Sequence, residues 1–194
     1  MSKKAVMPTD AVSCVEASTN AAVWLLKGGL TPEEADTHGI RWHSKSDRLL
    51  IPIKNEYSVT TGIVARAVNG EKPKYFALYQ KESIHFPAPT TQKSICLVED
   101  VLSSIAVMKA GLDSAAVVGT SVSGENAYRL TKGKNRVVVF MDPDAAGDKG
   151  FISIRKTLQM YPVEVHRAFA DRDPKYLTRQ EIRDAVSRSI RQSS

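Results

Sequence analysis

One segment limits the possible folds of this 194-residue chain more than any other, the run at residues 136–141. Its centre, residues 137–140, reads Val-Val-Val-Phe, so an extended chain would be apolar on both faces there. Strands of this kind are typical of parallel sheets that are covered on both sides. Strand-like and helix-like stretches alternate around it between residues 94 and 167. The pattern predicts an α/β unit with a mainly parallel sheet.

The part of the chain before this unit has a different pattern. Three β-rich stretches, 48–53, 59–68 and 75–79, are separated by the turn-forming pairs Asn55-Glu56 and Asn69-Gly70. These features predict a small antiparallel sheet.

Helices are predicted on both sides of these strands. Apolar residues at helical spacing predict a helix over residues 11–27. Thr31 with Glu34, and Thr178 with Glu181, have the spacing of capping boxes that open two further helices.

The charge balance favours an anionic partner without requiring one. Lysine and arginine number 27 against 21 acidic residues, which gives a net charge of +6. An excess of positive charge suits nucleic acid or nucleotides, although many soluble proteins are mildly basic. Charge alone leaves both interpretations open.

Other compositional features exclude whole classes of protein. No apolar stretch is long enough for a transmembrane helix, and no apolar region follows Lys3 and Lys4 as a secretory signal requires. Two cysteines, Cys14 and Cys96, can form neither a disulfide framework nor a four-thiolate zinc site. We therefore expect no membrane partner and a reducing, intracellular compartment.

The most specific motif is Asp142-Pro143-Asp144, which follows the apolar strand directly and leads to Gly147. Side chains two positions apart on an extended chain point the same way, and Pro143 holds Asp142 extended. Paired carboxylates suit Mg²⁺ or Mn²⁺. Asp, Pro and Gly are also turn residues, so a plain turn is the alternative.

A second acidic pair, Glu99-Asp100, follows the apolar stretch at residues 94–98. One such carboxylate could simply favour the start of the next helix. Two acidic strand ends in one sheet weaken that alternative, because carboxylates held close together need cations.

Taken together, these strand ends resemble the Toprim domain, which topoisomerases, DnaG-type primases, some nucleases and recombination proteins share. The resemblance lies in Glu99, the segment Val118-Gly119-Thr120-Ser121, and the pattern Asp142-x-Asp144-x-x-Gly147. Further segments are similar to primases in particular. Residues 29–33 resemble "RGLS-x-E", 47–53 "fRxRxxFPI", 62–66 "GFGGR", 73–75 the start of "PKYLNS" and 171–176 "KDPDEY".

The resemblance covers roughly residues 20–178 and implies four regions. These are a flexible N-terminus (1–10), a small α+β basic primase-like subdomain (11–92), a Toprim domain (93–170) and a C-terminal helical tail (171–194). The implied fold class is α/β, with flanking helices on the mainly parallel Toprim sheet.

The chain departs from the primase pattern in two respects. Primases usually have Glu-Gly-x-x-Asp after this strand, whereas here Asp100 takes the glycine place and Ser103 the aspartate place. Either Asp100 substitutes as a ligand or one metal is held more weakly. A primase zinc ribbon and a Walker-type helicase loop are not found in this sequence, and the expected form is a minimal phage-type core.

The resemblance implies a DNA primase that joins ribonucleoside triphosphates into RNA primers on single-stranded DNA during replication. It implies two-metal chemistry with Mg²⁺ or Mn²⁺ in the cytoplasm, of a bacterial host if the chain is phage-encoded. A separate replicative helicase or zinc-ribbon subunit is a candidate partner. The implied metal ligands are Glu99, Asp100, Asp142 and Asp144, of which Glu99, Asp142 and Asp144 are catalytic. The implied nucleotide- and DNA-binding residues are Arg48, Arg66, Lys74, Lys149 and Asp173.

Two alternatives stay open at this point. A Toprim nuclease would use the same metals to activate water, but the primase-like segment at residues 48–75 argues against it. The other alternative is a non-catalytic nucleic-acid- or nucleotide-binding module, which Ser103 and the missing zinc ribbon would allow.

Overall fold

A computed structural model describes the backbone at residues 5–79, 84–118 and 121–191. Contacts divide the chain into two compact units. The first contains Met1–Asn55 and Val59–Glu82, and the second contains Glu56–Ser58 and Ser83–Ser194. None of the helices in the described ranges is both long and apolar enough to cross a membrane.

The first unit is built on a four-stranded antiparallel sheet with the strands in chain order. Its elements are α1 (Thr19–Lys27), α2 (Pro32–Thr37), β1 (Arg41–His43), β2 (Arg48–Lys54), β3 (Thr60–Ala67) and β4 (Tyr75–Tyr79). The predicted antiparallel sheet is present, with β1 as an additional three-residue edge strand.

The helix predicted over residues 11–27 is wrong in its first half. Val12 pairs with Trp42 as an isolated bridge, and Cys14–Glu16 form a single 3-10 turn. The helix starts only at Thr19, where the Ser18 hydroxyl accepts a hydrogen bond from the amide of Ala21 at 3.3 Å. Serine side chains that bond to nearby amides compete with helix continuation, which ends the helical pattern before residue 19.

The predicted flexible start, residues 1–10, is described from Ala5 onward. Ala5 is buried against Leu50, Ile63 and Ala65, and its amide donates to the carbonyl of Thr60 at 3.3 Å. This part of the start is packed onto the first sheet.

The second unit is a five-stranded sheet in the order β5-β7-β6-β8-β9. Its elements are β5 (Ile84–His85), β6 (Ser94–Val98), α3 (Val101–Lys109), β7 (Ser114–Val117), α4 (Gly124–Thr131), β8 (Arg136–Phe140), α5 (Ala145–Leu158), β9 (Glu164–Arg167) and α6 (Arg179–Arg191). Strands β6 to β9 are mutually parallel, and β5 lies antiparallel at one edge. Because β5 pairs with β7, the contacts divide the chain between residues 82 and 83, rather than between residues 92 and 93 as predicted.

Strands β6 and β8 are buried on both faces, as the apolar run predicts. Val137 and Val139 pack on one side with residues that include Ile154 of α5, while Val138 and Phe140 pack on the other with Ile182 of α6. The tail predicted at residues 171–194 therefore contributes a helix to this core. The Thr178 capping box is present, since the Thr178 hydroxyl accepts from the Glu181 amide at 3.2 Å and the Glu181 carboxylate accepts from the Thr178 amide at 2.7 Å.

Candidate active site at the carboxyl edge of the sheet

The register of two parallel strands brings the two acidic motifs together. Val98, the last residue of β6, pairs with Phe140, the last residue of β8. Glu99-Asp100 and Asp142-Pro143-Asp144 therefore leave the sheet at the same edge, where open α/β folds bind ligands.

The loop after β8 is fixed by Asp144 and Gly147. Asp144 caps α5, because its Oδ1 accepts from the Gly147 amide at 2.7 Å, and its own amide donates to the carbonyl of Asp142 at 2.9 Å. A Cβ atom on Gly147 would overlap the carbonyl oxygen of Asp142. The spacing Asp-x-Asp-x-x-Gly thus specifies a tight turn followed by a helix cap. The backbone of this segment is the turn that the sequence offered as the alternative.

One side-chain oxygen of Asp142 takes no part in the turn. Its Oδ1 is buried and has no hydrogen-bond partner among the residues that the structure describes. Burial, followed by the charges of Asp173, Glu99 and Asp100, raises the pKa of Asp142 to about 7, although Lys175 opposes this rise. An unpaired buried oxygen of this kind is costly unless a cation or donor reaches it.

Glu99 lies half-buried at the same edge. Burial raises the pKa of its carboxyl group, and the charges of Asp144 and Asp100 raise it further. A divalent cation would relieve the repulsion that neighbouring negative charges exert on this carboxylate.

Asp100 is the N-cap residue of α3. Its Oδ1 accepts from the Ser103 amide at 3.0 Å and its Oδ2 accepts from the Ser103 hydroxyl at 2.9 Å. Ser103, which replaces the usual acidic residue, is fully buried and holds Asp100 in this cap.

Lys175 belongs to the site, although the sequence did not single it out. It lies in the 3-10 turn Pro174–Tyr176, and its Nζ donates to Asp100 Oδ2 at 2.9 Å and to Asp173 Oδ2 at 2.7 Å. Burial lowers the pKa of Lys175, but the two carboxylates outweigh it and the pKa is raised overall. The signal available in the sequence was a lysine two positions after Asp173, which looks like any surface lysine.

The carboxylates do not form a ready-made metal centre. Among the side chains in the described ranges, no three His, Cys, Asp or Glu residues are arranged to hold one ion. The donor set nevertheless suits a hard divalent cation, because it consists of carboxylate oxygens and includes the unpaired Asp142 Oδ1. Glu99, Asp142 and Asp144 are the residues that would hold such an ion, and their side chains would have to draw together around it.

The predicted nucleotide- and DNA-binding residues are in different situations. Arg48 is 5% exposed, lies 4.9 Å from the ring centroid of Phe76 and donates to the carbonyl of Pro73 at 2.8 Å. Its guanidinium is therefore largely engaged within the first unit. Lys74 is exposed in the first unit and Lys149 is exposed on α5 of the second, whereas Asp173 is held by Lys175.

Arg66 is sandwiched between two aromatic rings of the first unit. Its guanidinium carbon lies 5.2 Å from the centroid of Trp24 and 4.3 Å from that of Tyr75. The Nε and Nη1 atoms are buried, and no atom in the described ranges forms a hydrogen bond with either of them. Of the motif at residues 118–121, Gly119 and Thr120 lie outside the described residues.

Comparison with known families decides which fold this edge belongs to. A family model of the Toprim domain matches residues 93–169. Residues 93–169 form a Toprim domain. Glu99, Asp100, Asp142 and Asp144, which together we call the acidic edge, all lie within the matched residues.

Solved structures extend the match beyond the Toprim domain. The Aquifex aeolicus primase, with its zinc-binding and RNA polymerase domains, matches with a TM-score of 0.74 at 18% identity, covering 91% of this chain and 57% of that one. A DnaG primase catalytic domain bound to single-stranded DNA matches with a TM-score of 0.71 at 18% identity, covering 95% and 75%. The chain has the fold of the DnaG primase catalytic core.

Sequence similarity points to the same relatives. The DNA primase of Halalkalibacterium halodurans is 28% identical over 126 residues, which is 59% of this chain and 21% of that protein. The chain thus spans about a fifth of the length of this bacterial primase.

Proposed function

We propose that this chain is a primase catalytic core that joins ribonucleotides into RNA primers on single-stranded DNA during replication. The observation that carries the proposal is the acidic edge of the Toprim domain, with an unpaired buried oxygen on Asp142, in a chain with the DnaG catalytic-core fold. The relatedness to bacterial DNA primases supports the same reaction class.

The reaction requires no protein nucleophile. The 3′-hydroxyl of the growing primer would attack the α-phosphorus of the incoming ribonucleoside triphosphate, forming a new P–O bond as the bond to pyrophosphate breaks and the hydroxyl proton leaves to solvent. Glu99, Asp142 and Asp144 would hold Mg²⁺ or Mn²⁺, which supplies Lewis-acid neutralisation of the phosphate charge when bound.

The basic residues provide phosphate contacts in this proposal. Exposed Lys74 and Lys149 are suited to nucleotide or template phosphates as point charges. Arg66 lies between two aromatic rings, and its buried Nε and Nη1 have no hydrogen-bond partner among the described residues, so a phosphate that reached them would find unused donors. A related DnaG domain bound to single-stranded DNA supports a DNA template as partner.

Several finer assignments belong to the same proposal. A separate zinc-ribbon subunit or replicative helicase is the expected partner, and the Aquifex primase contains a zinc-binding domain beside its polymerase domain. The phage-type assignment and action in the cytoplasm stay predictions, and the primase compared above is bacterial.

A second candidate is a nucleic-acid- or nucleotide-binding module without catalysis. It is favoured by the absence of a ready-made three-ligand metal centre among the described side chains and by the engagement of Asp100 in a helix cap. The two candidates differ in whether the chain catalyses a reaction when a divalent ion binds the carboxylates.

The deciding experiment incubates the chain with single-stranded DNA, labelled ribonucleotides and Mg²⁺ or Mn²⁺, and resolves the products on a gel. We expect short RNA products that disappear in Asp142→Asn. Asp184→Asn makes the same chemical change at an exposed position on α6 and should keep wild-type product. Shortened template would indicate a nuclease instead, and unchanged template and nucleotides would indicate the binding module.

A further inference from the structure

The acidic edge already contains a positive charge of its own. Lys175 Nζ bridges Asp100 Oδ2 and Asp173 Oδ2 at 2.9 Å and 2.7 Å. We propose that this ammonium group takes the place of a second divalent cation, so that the edge binds one ion, through Glu99, Asp142 and Asp144. The inference deepens the proposed nucleotidyl transfer and rests on it for the identity of the site.

The burial of the bridge distinguishes it from an ordinary surface ion pair. The side chains of Lys175, Asp173 and Asp100 are 16%, 24% and 29% exposed. Exposed pairs contribute little and exchange readily with solvent ions. A largely buried ammonium between two carboxylates is instead a fixed part of the site, since removing it would leave two partly buried negative charges without a neutralising cation.

Asp100 has little capacity left for an ion. Its two oxygens accept from the Ser103 amide, the Ser103 hydroxyl and Lys175. A carboxylate offers about four lone-pair directions, so three are taken. The prediction that Asp100 ligates metal is therefore replaced, in this proposal, by a role as partner of Lys175.

The remaining carboxylates are the ones left for a divalent cation. Asp142 Oδ1 is buried and has no hydrogen-bond partner within the described part of the chain, and Asp144 Oδ1 accepts from the Gly147 amide. A second divalent ion at Asp100 and Asp173 would have to displace a like-charged ammonium, which costs Coulomb energy.

The test counts Mn²⁺ ions bound to the full chain, by titration with the electron paramagnetic resonance signal of free Mn²⁺. We expect one ion per wild-type chain and two in Lys175→Met, which frees Asp100 and Asp173 while keeping the length of the side chain. Lys156→Met, at an exposed position on α5, is the matched control and should keep one ion. Two ions or none in the wild type, or an unchanged count in Lys175→Met, would overturn the proposal.

Asp100→Asn and Asp173→Asn keep the proposal testable if Lys175→Met does not fold. Both should retain one ion, and loss of the ion in either variant would contradict the inference. The count is independent of catalysis. If the chain binds a single Mn²⁺ ion but makes no primers, the proposed function is rejected and the role of Lys175 is kept. If the chain makes primers but binds two ions, the proposed function is kept and the role of Lys175 is rejected.

Discussion

Gly147→Ala tests whether the turn after β8 is required to place the acidic edge. The new Cβ would overlap the carbonyl oxygen of Asp142 and come within 3.2 Å of its carbonyl carbon and of Met141 Cβ. These are backbone and inner side-chain atoms, which cannot move aside without moving the loop. The start of α5 would have to shift away from Asp142.

The expected cost follows from three terms. Overpacking of this kind costs about 1–3 kcal/mol, and loss of the Asp144 cap adds about 1 kcal/mol. The better helix propensity of alanine offsets about 1 kcal/mol. We therefore expect Gly147→Ala to lower the free energy of unfolding of the second unit by roughly 1–3 kcal/mol, the sum of these terms.

The matched control is Gly150→Ala on the same helix. Its Cβ would lie 3.3 Å from Met141 Cε, the movable end of a flexible side chain. We expect it to be neutral or slightly stabilising, because the helix gains propensity and Met141 can adjust. Urea unfolding followed by circular dichroism without divalent ions measures both variants. Equal midpoints for the two alanine variants would refute the reasoning.

Two further predictions concern charge. The pKa of Asp142, about 7 in the folded chain against an ordinary 3.8, means that the folded state binds this proton more tightly. This proton stabilises the folded wild type at low pH, and the stabilisation is lost as the pH rises toward 7. Asparagine does not titrate, so the free energy of unfolding of Asp142→Asn should increase relative to that of the wild type between pH 4 and pH 8. Urea titrations without metal measure this difference. A pH-independent difference would contradict this. Arg66→Ala and Lys74→Ala should each weaken single-stranded DNA binding and flatten its salt dependence in fluorescence anisotropy, because fewer counterions are released. Unchanged salt slopes would place both residues outside the DNA-binding surface, and Lys156→Ala is the control.

The features that the sequence could predict are those set by local rules. The Val-Val-Val-Phe run at residues 137–140 has to be buried on both faces, and this places the following Asp142 at the edge of a parallel sheet. Capping boxes at Thr31 and Thr178 depend on four consecutive residues, and both helix starts are where they were expected.

The features that the sequence could not predict depend on distant partners. Residues 11–18 have helical spacing, but Val12 gains more by pairing with Trp42, which is thirty positions away along the chain. Lys175 becomes part of the site only because the chain returns after β9 to place it beside Asp100. Arg48 has a basic side chain at a matching motif position, yet the ring of Phe76 and the carbonyl of Pro73 engage it.

The double role of Asp144 has a consequence for how this chain can change. Its Oδ1 accepts a hydrogen bond at the start of α5, and in the proposed function the same carboxylate also holds a divalent cation. Asparagine caps helices about as well as aspartate but lacks the charge that a cation requires. If the proposed function holds, Asp144→Asn would therefore keep the start of α5 in place and abolish primer synthesis, so a catalytic form and a binding-only form of this scaffold would differ by one substitution.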